Sequence, residues 1–320
     1  MKSIAPYFFV VLVGLAGAGH AQTFPSKPIR VVIPNEPGTL DFYIRMMEPR
    51  LREITGQPWI VEYRAGAGGQ IGASTVAKAA PDGHTIIFTH SGTHATVQYL
   101  SKNVLYDPVN DFTPITALAA SWLCLLAHPS LPVNSVQELI ELAKKTPGKL
   151  SYAHNGVGNT THMSGEQIKI ITGIDMLQVA YKGGAPAATA VIAGEAQILF
   201  GSFAATLPLI RAGRLRALAV TSKTRAAVTP EVPTMMESGF PDYHVQAWAS
   251  FDAPARTPEA IVQRLYSETA KAAFLPEVID LMNKIGYAPA NNTPRQYAEQ
   301  KRTETAMWAK LIREANIRGE

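Results

Sequence analysis

The fold is decided by residues 28–90, which read PIRVVIPNEPGTLDFYIRMMEPRLREITGQPWIVEYRAGAGGQIGASTVAKAAPDGHTIIFTH. Three short β-branched runs, PIRVVIP, PWIVEY and HTIIFTH, alternate there with two amphipathic stretches, LDFYIRMMEPRLREITG and GGQIGASTVAKAA. The order strand, helix, strand, helix, strand is typical of parallel βαβ units. This part of the chain is therefore predicted to fold as a layered α/β lobe.

The same alternation returns after Leu150, in KLSYAH, THMSGEQIKIITG, LQVAY, APAATAVIAG, AQILFGS, LPLIRAG and LRALAVTS. A second, separate α/β sheet is expected there. The long apolar run at 111–132 is positioned to leave the first lobe and enter the second, and the extended segment at 243–254 to bring the chain back. Two crossings of one cleft predict a hinged clamp of two lobes.

The tail is predicted to complete the first lobe, because its segments find few partners in the pattern of the second. It offers a short strand around Tyr287 and helices at 258–274, 276–285 and 294–316. The resulting domain assignment is lobe 1 at 22–120 and 252–320, and lobe 2 at 121–251. No internal repeat and no low-complexity linker interrupts this organisation.

Residues 1–21 are typical of a secretory signal. Lys2 is followed by a mostly apolar run at 7–18 and by the tripeptide GHA at 19–21, a small-x-small cleavage site. The apolar run is shorter than the roughly 20 residues of a membrane span. We predict cleavage after Ala21, export to the periplasm, and a mature protein that is not embedded in the membrane.

The composition predicts a core that needs no disulfide and gives no support for nucleic-acid binding. The 320 residues are 47% hydrophobic and include one cysteine, Cys124, which is expected to be a small buried hydrophobe in the apolar run SWLCLLAH. The formal charge is +4, or +3 once Lys2 is removed, and long Lys/Arg runs do not occur. So mild a charge does not indicate a nucleic-acid partner.

Catalytic and cofactor signatures are missing from the sequence. It contains no H-E-x-x-H, C-x-x-C, G-x-S-x-G or phosphate-loop motif. The glycines of RAGAGGQIG, at 64–72, nearly match the dinucleotide fingerprint, but Ile71 stands where its third glycine should be. A strand-to-helix turn is the better interpretation. We expect no cofactor and no enzymatic activity.

His90 and His94 lie four residues apart in THSGTHATVQ, a spacing that would present two imidazoles to zinc from one helical face. No acidic or cysteine partner stands nearby in the sequence, and Gly92 between them favours a strand-to-loop corner over a helix. We therefore predict no metal site and interpret the histidines as cleft-lining or helix-capping residues.

Two loops are predicted to bind an anion for the same physical reason. PNEPGTLD at 34–41 and HNGVGNTTHMSGE at 154–166 each end a strand and open a helix. A helix start exposes up to four unpaired N–H groups and about half a positive charge. Such loops gather at the carboxyl ends of strands, where ligands bind. The alternative is simple helix capping by Thr39 and Thr160, which the sequence leaves open.

In these stretches the chain resembles the Bug family, the TctC-like substrate-binding receptors of tripartite tricarboxylate transporters. The resemblance covers nearly the whole mature chain and rests on PWIVEYRAGAGGQIGASTVAKAAPDGHTI, LYDPVNDFTPIT, KKTPGKLSYAHNGVGNTTHMSGE, VAYKGGAPAATAVIAGEAQILF, LPLIRAGRLRALAVTS and VPTMMESGFPDYHVQAWASFDAPARTPEAIV taken together. It implies a monomeric, type II-like periplasmic binding protein, a Venus flytrap. This protein would hold a small mono- or dicarboxylate between its lobes and deliver it to integral membrane transporter subunits.

The resemblance also implies binding residues. In the family, the loop after the first strand and the G-x-G-[ST]-x-x-H loop of the second lobe grip a carboxylate, largely through main-chain N–H groups and ordered water. The matching residues are Gly38, Thr39 and Asp41 in the first loop, Gly156, Gly158, Asn159, Thr160 and His162 in the second, His90, Ser91 and Thr93 on the wall of the first lobe, and Gly201 and Ser202 on the wall of the second.

The chain departs from the family's pattern at three places. Its first loop, EPGTLD at 36–41, is one residue shorter and has one glycine where the family commonly has two or three. Asn159 replaces a hydroxyl residue, and Gly201 stands where an aspartate is frequent. The departures predict a reshaped first loop and a pocket with less negative charge and more room. We therefore hypothesise a ligand larger than a plain dicarboxylate, with aromatic acids as candidates.

Two other functions fit the sequence. An exported enzyme would use Asp41 or His162 as general base, although no nucleophile, metal set or cofactor fingerprint accompanies them. The other is a receptor whose ligand is passed to a sensor kinase instead of a permease, and the residues of the chain do not distinguish these two. The sequence also leaves two interpretations open for Asp41 and for Trp248. Asp41 either accepts a hydrogen bond from the ligand or is only a first-turn carboxylate that the helix dipole favours. Trp248 either packs in the core or stacks on a ligand.

Overall fold

The computed structural model describes residues 24–35, 39–226, 228–243, 245–284 and 287–317. The predicted signal segment with its cleavage site after Ala21 lies outside the described residues, as does Gly38 of the first loop. Of Thr39 the main chain is described, as the first residue of a helix.

Strands and helices alternate along the described chain as predicted. The strands are β1 (Ile29–Ile33), β2 (Trp59–Tyr63), β3 (Thr85–His90), β4 (Phe112–Ala127), β5 (Ser151–His154), β6 (Leu177–Ala180), β7 (Ile198–Ser202), β8 (Arg216–Val220), β9 (Gln246–Pro254) and β10 (Tyr287–Pro289). The helices are α1 (Thr39–Thr55), α2 (Gln70–Ala77), α3 (Val97–Leu100), α4 (Val136–Lys145), α5 (Thr160–Thr172), α6 (Gly184–Ile192), α7 (Phe203–Arg211), α8 (Glu259–Ala273), α9 (Pro276–Lys284) and α10 (Pro294–Glu314). Among these described helices, none is long and apolar enough to cross a membrane.

The first part of the chain forms the predicted parallel βαβ units. β1 pairs in parallel with both β2 and β3, and β3 pairs antiparallel with β9. Ile29, Val31 and Ile33 of β1 are fully buried and pack with Tyr43 of α1 and Phe88 of β3. The glycine-rich stretch between β2 and α2 is a short 3-10 turn at Ala67–Gly69, as expected of a strand-to-helix turn.

One long strand joins the two halves of the chain. β4 pairs with β9 along residues 112–122 and with β7 along residues 123–127. The strand order is β2-β1-β3-β9-β4-β7-β5-β6, and β8 and β10 also pair with β4. The prediction of two separate sheets therefore needs a correction: the sheets share β4, because a buried strand must satisfy its main-chain groups along its whole length. Cys124, within β4, is buried as expected.

The C-terminal helices pack mainly on the first half of the chain. α8 contacts α1 and β4, α9 contacts β10, and α10 contacts β4. α10 begins with a capping box, in which the side chains of Thr293 and Gln296 each accept a hydrogen bond from the other's main-chain N–H. α10 also reaches α5 in the second half. The three helices predicted in the tail are thus confirmed.

A buried polar network fastens α10 to β9. Lys301 Nζ lies 3.0 Å from Asp252 Oδ1, and both side chains are almost completely buried. The hydroxyl of Tyr297 donates to Asp252 Oδ2 over 2.9 Å. Since a buried carboxylate requires both a counter-charge and hydrogen bonds, this network ties the last helix to the sheet.

Lys301→Met is expected to destabilise the protein by about 3–5 kcal/mol, because it leaves the Asp252 carboxylate buried without its cation. Urea unfolding followed by circular dichroism measures the loss. Arg302→Met is the matched control, since Arg302 pairs with Glu299 on an exposed face of the same helix and exposed pairs contribute about 0–1 kcal/mol. Equal losses in the two variants would contradict the importance of the buried pair.

Candidate functional site

Two adjoining cavities lie between the two halves of the sheet. One has a volume of about 500 Å³ and the other about 200 Å³. His90, the last residue of β3, and Asn159, just before α5, line both cavities and form the neck between them. We name the larger cavity the large compartment and the smaller one the polar compartment.

The two compartments differ in chemistry. The polar compartment is lined by the hydroxyl and amide side chains of Ser91, Ser121, Asn155, Asn159, Thr160, Thr161 and Ser202, and by Trp248 and Tyr287. The large compartment combines apolar side chains with polar ones: Ala67, Val97, Leu100, Val157, Ala180, Asn35, Gln70 and Ser101. None of the described residues that line either compartment is an Asp, Glu, Lys or Arg.

His90 is neutral at the neck. The main-chain N–H of Gly92 donates to its Nδ1 over 3.0 Å, which leaves the proton on Nε2, 3.0 Å from Asn35 Oδ1. Burial lowers the pKa of His90 to about 4. A ligand at the neck therefore meets an uncharged ring whose two nitrogens already have protein partners.

The segment that follows His90 is helical, which corrects the predicted strand-to-loop corner. Gly92–Thr96 forms a π-helical turn that continues into α3. Glycine disfavours a helix locally, but Thr96 Oγ1 lies 2.9 Å from the carbonyl oxygen of Gly92 and 3.0 Å from that of Gly158, so contacts with the second half support the turn. His94 is buried against the ring of Phe112, away from the compartments.

Two helices begin at the polar compartment without a side-chain cap. Asn159 is the N-cap residue of α5 and Ser202 that of α7, and neither side chain accepts a hydrogen bond from its helix. Asn159 Nδ2 instead donates to the carbonyl of Asn155 over 3.2 Å. Thr160 is the first residue of α5 and does not cap it, so simple capping does not explain this loop. Both helix starts offer N–H groups and a partial positive charge to an anion.

The loop before α5 packs directly against the turn after β3. Ser91 Oγ lies 3.2 Å from Thr160 Oγ1. Gly158 has φ +78°, and a Cβ added to it would lie 2.1 Å from Leu100 Cδ1. The positive φ favours glycine at residue 158, and a larger residue would require the Leu100 side chain to move.

The structure gathers part of the predicted binding set at the two compartments. The predicted residues that line them are His90, Ser91, Gly156, Gly158, Asn159, Thr160 and Ser202. Asp41 and Thr93 line neither compartment. Asp41 accepts hydrogen bonds from Arg45 Nε, over 2.6 Å, and from the Tyr63 hydroxyl, while Thr93 is fully buried beside Gly69.

His162 and Gly201 lie behind the compartments. His162 Nδ1 accepts the N–H of Gly158 over 3.2 Å, so the ring supports the loop before α5, and burial lowers the pKa of His162 to about 4. Gly201 pairs with Cys124 inside the sheet, and a Cβ there would lie 2.5 Å from Thr206 Cγ2. The extra room expected beside Gly201 is filled by Thr206.

Several lining residues were missed by the sequence analysis. Asn155 directly follows β5 and Asn35 is the second residue after β1, and both lie in the two loops predicted to bind an anion, although neither was named. Ser121 lies in β4 next to the point where the strand changes partner. No sequence motif indicated Gln70 or Tyr287 as lining residues, because tertiary packing brings them to the cleft.

The chain is similar to known proteins along most of its length. A family model described as "Tripartite tricarboxylate transporter family receptor" matches residues 43–317. Protein BugT of Bordetella pertussis is 32% identical over 312 residues, which are 97% of this chain and 96% of that protein.

Solved structures are similar along nearly the whole chain. The structure "R. palustris Rpa4515 with adipate" is 34% identical with a TM-score of 0.82, and the match covers 93% of this chain and 100% of that one. MatC (Rpa3494) from Rhodopseudomonas palustris with bound malate is 30% identical with a TM-score of 0.78, over 90% of this chain and 100% of that one. The predicted two-lobed α/β binding-protein fold and the predicted resemblance are confirmed.

The buried His162 predicts a loss of stability in mild acid. Its pKa is about 4 in the folded protein, below the ordinary 6.5, so its contribution is complete above pH 6.5 and is lost as the pH falls toward 4. His162→Asn keeps an acceptor for the Gly158 N–H and removes the titration. Between pH 7 and 5, urea unfolding should show the wild type losing about 2 kcal/mol more than the variant. Parallel losses would contradict this assignment.

Gly158→Ala is expected to loosen the packing between the loop before α5 and α3, because its methyl group displaces the Leu100 side chain. Gly173→Ala is the matched control, since Gly173 has φ +68° and nothing within 4 Å of its added Cβ. We expect Gly158→Ala to cost about 1–3 kcal/mol more than the control in urea unfolding. Leu100→Ala in the same chain should reduce this difference. Identical behaviour of the two alanine variants would refute the close packing.

Proposed function

Because the chain belongs to the tripartite tricarboxylate transporter receptor family, we propose that it captures a small carboxylate between its lobes and delivers it to membrane subunits of such a transporter. The family consists of receptors, so the chain is not an enzyme, as its sequence predicts. Two relatives whose structures contain adipate and malate support a carboxylate as the ligand class.

The observation that carries this proposal is the start of two uncapped helices, α5 and α7, at a compartment lined by neutral polar and aromatic side chains. A carboxylate there accepts hydrogen bonds from main-chain N–H groups and from hydroxyls. Each such bond contributes about 1.5–3 kcal/mol net, so four or five of them, less the cost of ordering, reach the roughly 8 kcal/mol of a micromolar ligand. No fixed positive charge is needed.

The large compartment supports a ligand that is longer or broader than a plain dicarboxylate. Its volume is about 500 Å³, and Val97, Leu100 and Val157 give it an apolar wall. An apolar chain or an aromatic ring fits this wall while the carboxylate occupies the polar compartment. Asn159, at the neck, is placed to donate to a ligand oxygen near the junction.

The proposal includes the export and domain boundaries inferred from the sequence. The chain would lose residues 1–21 by cleavage after Ala21 and act as a monomer in the periplasm. Lobe 1 would comprise residues 22–120 and 252–320, with lobe 2 between them. The change of partner along β4 supports the first boundary. From Gln246 onward, β9 pairs with the first part of β4. This pairing favours a return from lobe 2 to lobe 1 a few residues before 252.

Thermal-shift screening of the mature protein against carboxylates, followed by calorimetry, tests this function. We expect adipate or a longer or aromatic acid to raise the melting temperature. Asn159→Asp should weaken binding of the selected acid at least about tenfold, because it puts a negative charge beside the anion.

Asn291→Asp is the control, since Asn291 is exposed between β10 and α10. It adds the same charge away from the cleft and should leave the affinity unchanged. A protein that no carboxylate stabilises, or an equal effect of the two substitutions, would count against the proposed function.

A further inference from the structure

Trp248 forms one wall of the polar compartment. It lies on β9 opposite Ala120 of β4, and its side chain is buried. Hydroxyl and amide side chains make up most of the remaining lining, and Trp248 has its bulkiest side chain. A molecule in this compartment therefore has to fit against the ring.

The polar atom of the indole is turned away from the compartment. Trp248 Nε1 donates to Glu304 Oε2 of α10 over 2.5 Å, and Glu304 does not line the compartment. An indole has one donor and no acceptor. Because that donor is occupied, Trp248 offers only carbon to the compartment.

Glu304 is itself fixed by its surroundings. Its Oε1 accepts from Gln300 Nε2 over 2.8 Å, and Gln300 Oε1 accepts from Asn292 Nδ2 over 2.5 Å. Burial raises the pKa of Glu304. Tyr297 of α10 meets the Trp248 ring edge-on, with the ring centroids 5.4 Å apart. The helix α10 thus fixes the indole through a hydrogen bond and a ring contact.

Glu304 also lines a further cavity, of about 290 Å³. Gln246, Gln300, Thr303, Glu304, Met307 and Trp308 line it. Glu304 thus reaches this cavity, while its partner Trp248 faces the polar compartment. If the hydrogen bond were lost, the indole would lose one of the contacts that hold its rotamer, and a different rotamer would change the shape of the polar compartment.

We propose that Trp248 is a specificity-determining residue of the polar compartment and that Glu304 is the positioning residue that fixes its indole. The inference rests on the proposed function, because it concerns ligand binding in the same cleft. The fixed ring provides a rigid apolar wall for the hydrocarbon part of an acid beside its carboxylate.

A double-mutant cycle tests this proposal, with adipate as the probe in calorimetry. Glu304→Leu removes the acceptor, Trp248→Phe removes the donor and keeps a ring, and the third variant combines them. Glu299→Leu is the matched control, because Glu299 lines the same further cavity but pairs with Arg302 on an exposed face. Indole N–H resonances of ¹⁵N-tryptophan-labelled protein give a readout that needs no ligand.

We expect Glu304→Leu to weaken adipate binding about tenfold in the wild-type background and to have no further effect in Trp248→Phe, since a residue that acts through another is silent without it. Glu299→Leu should change the affinity less than about twofold. The Trp248 resonance, identified by its loss in Trp248→Phe, should move upfield in Glu304→Leu as the hydrogen bond disappears. Glu304→Gln, which keeps an acceptor oxygen and is the substitute if Glu304→Leu does not fold, should show the same pattern to a smaller degree.

Equal losses of affinity in both backgrounds would overturn the proposal, because Glu304 would then act on the fold and not through Trp248. An unchanged indole resonance in Glu304→Leu would also overturn it. If the wild type bound no carboxylate at all, the proposed function would fail, and the resonance would still decide whether Glu304 positions the indole.

Discussion

The sixteen residues of β4 have to satisfy their main-chain hydrogen bonds in two sheets, and this requirement organises the molecule. The strand pairs with β9 along its first part and with β7 and β8 along its second. Because β3, β5 and β7 flank the change of partner, their carboxyl ends meet beside it. The compartments lie at this junction, where the strand ends of the first half of the chain face those of the second half.

The described residues that line the cleft carry no formal charge. The protein places the starts of α5 and α7 at the polar compartment and surrounds them with hydroxyls and amides. Main-chain dipoles are fixed by the fold, so they need no reorganisation when an anion arrives. His90, with its lowered pKa, adds no charge. The receptor function proposed above depends on these donors rather than on an arginine or a lysine.

Much of the fold was predictable because its signals are local. Alternating runs indicated β1 to β3 with α1 and α2, and prolines with amphipathic periodicity indicated α8 to α10. α4 escaped notice, although Ser135 accepts from the N–H of Glu138 in the usual N-cap pattern. The apolar run at 111–132 indicated a segment that crosses from the first lobe to the second, and β4 does cross. Its pairing with strands of both halves in one continuous sheet was not predictable, since pairing partners are chosen by tertiary packing and not by periodicity.

The site was predictable only in part, for a geometric reason. The family resemblance implied His90, Gly158 and Asn159, which line the cleft, but it also implied Thr93 and His162, which do not. Thr93 belongs to a π-helical turn, where side chains follow a different angular step from an α-helix, and its side chain is buried away from the cleft. Asp41 is engaged by Arg45 and Tyr63, an arrangement that residue type could not reveal.

The most direct test of the account is a crystal structure of the mature protein with the acid that stabilises it most. The account predicts carboxylate oxygens at about 2.7–3.2 Å from main-chain nitrogens at the starts of α5 and α7, with hydroxyls of the polar compartment as further donors. A carboxylate bound instead by an arginine or lysine side chain, or bound outside the two compartments, would contradict it.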